Sequence, residues 1–89
     1  MNDQQQAQKT LTLALTTAAW ARWSVERTGE EPSPLEINNF IKNLLADAGE
    51  KSGQVAVLYL ATEVATLDVA LIDSFIEHSK IFEHFDGQG

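Results

Sequence analysis

The sequence predicts an all-α fold: a small bundle of three to four helices, with a long C-terminal helix, that pairs with a second copy. Three observations point there. The stretch from Gln54 to Phe85 contains neither Pro nor Gly. Apolar residues run through it at Val57, Leu60, Val64, Leu67, Leu71, Phe75, Phe82 and Phe85, spaced so that they share one side of an α-helix. Ahead of it, Ser33-Pro34-Leu35-Glu36 has the chemistry of a helix start. Ser takes the N-cap, Pro the first helical position and Glu the third, so hydroxyl and carboxylate can each satisfy an orphan amide.

The elements follow in order. Residues 1–9 are polar and Gln-rich and read as a flexible start, with one helical domain over residues 10–86 and a flexible tail at 87–89. Helix 1 is expected over Thr10–Arg27, rich in Ala and Leu, with Gly29 as the stop. Its stretch Leu11–Ala21 carries some marks of a secretion signal, because Lys9 precedes it and Ala19-Trp20-Ala21 imitates a cleavage site. Thr12, Thr16 and Thr17 interrupt the apolar run, so it reads as part of the domain. Residues 29–33 form a linker. Helix 2 is expected over Pro34–Ala48, with Leu35, Ile37, Phe40, Ile41, Leu44 and Leu45 inward and Gly49 as its stop. Ser52 or Gly53 then caps the long segment.

As one rod, Gln54–Phe85 would measure about 48 Å at 1.5 Å per residue. A compact chain of this length has a radius of gyration of about 12 Å. The rod must bend, or outgrow the monomer and need a partner. Ala61-Thr62-Glu63-Val64-Ala65 offers no stop, which favours continuity. Asp68 argues the other way, since a continuous helix would turn its carboxylate into the apolar arc, where an unpaired charge is costly. A break near Thr66-Leu67-Asp68 would make Thr66 or Asp68 an N-cap. With Leu58, Val69, Ile72 and Ile76 added, the apolar arc spans roughly 200°, wider than one buried stripe. Such a helix packs on two sides, and a second copy would cover the surplus.

Composition excludes several classes of function. The net charge is −7. Residues 1–29 carry a net +1 and residues 30–89 a net −8, counted from Lys, Arg, Asp and Glu. An acidic surface repels phosphate and anionic lipid, so neither direct nucleic-acid binding nor membrane binding is expected, whereas a basic protein partner is favoured. There are no cysteines, which fits a cytoplasmic protein and removes thiolate metal sites. His78 and His84 stand six apart, and a helical metal pair needs three or four, so no metal and no cofactor is expected. His78 reads as a rim histidine with a hydrogen-bond partner. No phosphate loop, nucleophile elbow or HExxH helix is present, so the chain does not read as an enzyme.

The candidate binding residues are Trp20, Trp23 and Arg27, spaced at three and four on helix 1 with the cation over the second indole. Trp and Arg are enriched at the energetic centres of interfaces, yet two indoles can equally fill the core of a small bundle. A separate stripe of Leu11, Ala14, Leu15, Ala18 and Val25 offers small residues for close helix approach. Glu63, Asp73, Glu77 and Glu83 form an acidic face on the long segment. It reads as a solvated face rather than a mimic of the DNA backbone, since the acids are scattered around the helix. Together these features suggest a small acidic homodimer that binds another protein and modulates it. Inhibitor, adaptor and antiactivator all fit, as in many phage or mobile-element proteins of this size. The alternatives are a DNA-mimic inhibitor and a structural or chaperone subunit of a bacterial or phage assembly.

Overall fold

The computed structural model describes residues 3–88, and all of its regular structure is helical. Five helices follow one another: α1 (Asp3–Thr28), α2 (Pro34–Asp47), α3 (Gln54–Ala65), α4 (Val69–Ser79) and α5 (Ile81–Gln88). The all-α class holds, but three to four helices become five. The radius of gyration is 12.7 Å and the longest extent 40 Å, so a straight rod of about 48 Å has no room in this fold.

The long C-terminal helix is the main correction, since the segment breaks twice. At the first break the chain turns by 101° between α3 and α4. Thr66 closes α3, its hydroxyl donating to the Glu63 carbonyl at 2.9 Å. Asp68 caps α4 by accepting from the Ala70 amide at 2.9 Å. The carboxylate that a continuous helix would bury thus becomes an exposed cap, which removes the cost of the buried charge. At the second break Lys80 adopts a left-handed conformation, φ 55 and ψ 37, and starts α5.

The N-terminal boundary also moves. α1 starts at Asp3, seven residues before Thr10. Gln, Lys and Ala all have good helix propensity, and nothing in Gln4–Lys9 stops a helix that Thr10 continues. Lys9 is further tied across the fold to Glu50 by an ion pair. Of the proposed flexible ends, Met1, Asn2 and Gly89 lie outside the described residues, while Gly87 and Gln88 belong to α5.

The start of α2 is as its sequence foretells. The Glu36 amide donates to Ser33 Oγ at 3.1 Å, and the Ser33 amide to Glu36 Oε1 at 2.9 Å. Its end is a Schellman turn. Gly49 takes φ +75, its amide donates to the Ala46 carbonyl, and the Glu50 amide donates to Leu45. A side chain at Gly49 would meet open space, so the backbone angle rather than crowding calls for glycine.

Packing centres on α1, which touches all four other helices. One core joins Ala14 of α1, Ile41 and Leu45 of α2, and Val57 and Leu60 of α3. A second joins Leu15 and Ala18 of α1 with Ile72 of α4. Val64 and Leu67 pack against both. Thr17 of α1 is also buried, and its hydroxyl donates to the Leu13 carbonyl at 2.9 Å, which satisfies it. The central helix is therefore the Ala-rich first one, whose small residues let its neighbours come close.

Candidate protein-binding surfaces

The tryptophan face of α1 carries the chain's own C-terminal helix. Phe85 of α5 is buried, 5.5 Å from Trp23 and 6.5 Å from Phe40 between ring centroids. Trp20 stacks on Phe40 of α2 at 4.4 Å, the planes only 9° apart. Offset and edge-on pairs of this kind each add about 0.5–1.5 kcal/mol beyond their buried area. Asp86 completes the lock: its Oδ1 accepts from Trp23 Nε1 at 2.8 Å and faces Arg27 at 2.9 Å. Arg27 also lies over the Trp23 ring, 5.2 Å from its centroid, as the spacing of four predicts. The three candidate binding residues thus meet in space, but partners within the chain occupy them. Both indoles remain half-buried.

The residues assigned to a core or dimer face fall on three helices, α3, α4 and α5, and, for Leu67, on the break between the first two. Val57, Leu60 and Phe85 are buried, and Val64, Leu67, Phe75 and Phe82 half-buried. Leu71 turns outward and is 41% exposed. The break changes the helical phase, so that Ile72 rather than Leu71 reaches the core.

The acidic face is dispersed. Asp73 pairs with Arg22 of α1, Glu63 is half-buried, and Glu77 and Glu83 are exposed. Glu50 accepts from Lys9, whose hydrogen bond and positive charge hold its carboxyl below the usual carboxylate range. His78 is exposed, and its Nδ1 lies 2.8 Å from the Ser74 carbonyl, which can only accept, so the ring donates from that nitrogen. Among the described residues no group of three or more acids or histidines is placed to share an ion.

A surface that the sequence reasoning missed lies on α3. Val55, Leu58 and Tyr59 are 83%, 51% and 60% exposed. Their spacing of three and four makes one stripe on the side opposite Val57 and Leu60, continued by the exposed Thr62. The available signal was that Val55–Ala61 is apolar all round, more than a helix with one buried face needs. No single helix among the described residues is long and apolar enough to cross a membrane, although the bent pair α3 and α4 together reaches that length and composition.

A second surface is a cleft of about 450 Å³ between α1 and α2, lined by Ala18, Ala21, Arg22, Val25, Glu31, Pro32 and Ile37. It lies toward the C-terminal end of the small-residue stripe of α1 and starts at Ala18, which also belongs to the second core. Comparison of the chain with family models, with curated proteins and with solved structures gives no significant match.

Proposed function

We propose that this chain is a non-enzymatic, acidic helical protein that pairs with a second copy through α3 and acts by occupying a surface of another protein, as an inhibitor, adaptor or antiactivator. The observation that carries the reading is the uncovered stripe of Val55, Leu58 and Tyr59. A contiguous exposed apolar stripe is expected at an interface. The stripe suits a second copy for an electrostatic reason. From Gln54 to Thr62 no residue is charged, so two chains of net charge −7 can meet there without opposing like charges. Residues 30–89 carry a net −8, which favours a basic partner and disfavours nucleic acid. The acids lend little support to DNA mimicry: Asp68 and Glu36 cap helices, and Glu50, Asp73 and Asp86 face cations of the same chain.

Sedimentation equilibrium tests the pairing. The chain should sediment as a dimer at micromolar concentration, and Tyr59→Glu should yield a monomer with unchanged circular dichroism. A monomeric mass for the unaltered chain, or its flotation with neutral phosphatidylcholine vesicles through the same stripe, would overturn the pairing.

A further inference from the structure

The cleft between α1 and α2 has an apolar floor and an acidic rim. Ala18, Ala21 and Val25 lie along one face of α1, and their small size leaves the hollow that Ile37 and Pro32 close from the other side. A smaller hollow of about 200 Å³ adjoins it, lined by Trp20, Ser24, Thr28, Glu30, Glu31, Pro32 and Glu36. Glu31 and Pro32 belong to both and form the ridge between them. Glu30, Glu31 and Glu36 are exposed. Among the described residues the one cation lining either hollow is Arg22, whose guanidinium is already paired with Asp73. The rim therefore keeps its negative charge beside an apolar trough.

We propose that this corner receives a basic amphipathic helix of a partner protein. Aliphatic side chains spaced at three and four fill the trough over Ala21, and Lys or Arg on the flanks meets Glu30 and Glu31. A second copy is the wrong occupant, because it would bring another −7 of charge to an acidic rim. An uncharged apolar segment would fill the trough but leave the rim carboxylates without counter-charges. The proposal rests on the reading of the chain as a protein-binding module and names the kind of partner it takes. It uses residues on different elements from the α3 stripe.

The test uses a synthetic Leu/Lys peptide of about four helical turns, with Leu at amphipathic spacing. It is titrated into the ¹⁵N-labelled full chain and followed by amide shifts and indole fluorescence. Controls are a scrambled peptide of the same composition and a Leu/Glu analogue. The amphipathic basic peptide should shift the amides of Ala18, Ala21, Val25, Glu31 and Ile37. Glu31→Lys and Ala21→Leu should each weaken it roughly ten-fold, while Glu77→Lys, the same charge change on α4, should alter affinity by less than about two-fold. Glu31 is exposed in the link between helices, so its replacement leaves the core untouched even if Ala21→Leu disturbs the fold. Equal binding of the scrambled peptide, equal weakening by Glu77→Lys, or shifts confined to α3 would overturn the proposal. If the peptide ignores the corner while the dimer persists, only this inference falls. If the chain is monomeric and the peptide still seats at the corner, the pairing through α3 falls and this inference stands.

Discussion

Phe85 of α5 lies against Trp23 of α1, ring centroids 5.5 Å apart, and this contact seats the last helix on the first. α5 has eight residues, too few to be helical alone in water. Its helix exists because Phe85 is buried and because Asp86 reaches both Trp23 and Arg27. Phe85→Ala should therefore cost about 3–5 kcal/mol. That is a large share of the roughly 4–13 kcal/mol expected for a chain of this size. Urea denaturation followed by Trp fluorescence checks it, and a loss below about 1 kcal/mol would show that the ring does not anchor the helix.

Asp68 provides a test of the break in which the sign of the effect decides. As the N-cap of α4 its carboxylate accepts from the Ala70 amide, so Asp68→Ala should destabilise by about 1 kcal/mol and Asp68→Asn by less. In a continuous helix the same carboxylate would be buried in the apolar arc, and Asp68→Ala would stabilise. The urea midpoints of the two variants against the unaltered chain separate these outcomes.

The parts of the fold that were legible in the sequence rest on residues a few positions apart. The Ser33–Glu36 box and the Gly49 stop are local chemistry, and both form as their residues dictate. The stops at Thr66 and Lys80 use neither Gly nor Pro. Tertiary packing selects them: the first turn lets Ile72 meet Leu15 and Ala18, and the second lets Phe85 meet Trp23. Lys80 tolerates a left-handed backbone that normally costs a side-chain-bearing residue about 1–2 kcal/mol. The two stripes of α1 were visible, but which neighbour covers each was not, because the covering helix is created by those turns. The apolar excess of the C-terminal segment was visible too. Its location on α3 became definite only once the helical phase was reset at Asp68.

Acid should weaken the fold through Glu50. Its carboxyl is held below the ordinary value of 4.5, first by the Lys9 hydrogen bond and then by the Lys9 charge. A depressed folded-state value means that the stabilising contribution is complete above the unfolded-state value, and that it fades as pH falls from there through the folded-state value. Glu50→Gln should leave stability nearly independent of this pair as pH falls through and below 4.5, flattening part of the acid limb. Thermal melts of both chains across that range read it. Parallel acid limbs would show that the Lys9 pairing adds nothing to folding, as is common for exposed ion pairs.

Leu71 and Ile72 are adjacent, yet the fold gives them opposite fates. Ile72 is buried against Leu15 and Ala18, whereas Leu71 is 41% exposed. Had the segment run unbroken, Leu71 would sit in the apolar arc with Leu60, Val64 and Leu67, and a charge there would unfold the chain. With α4 started afresh at Asp68, Leu71→Asp should cost less than about 1 kcal/mol, in the range of surface substitutions. Ile72→Asp should cost more than about 4 kcal/mol, because it places an unpaired carboxylate between two helices. Circular dichroism melts of the two variants give the comparison directly. Unfolding by Leu71→Asp as well as by Ile72→Asp would restore the continuous helix, whose wider apolar arc holds both residues.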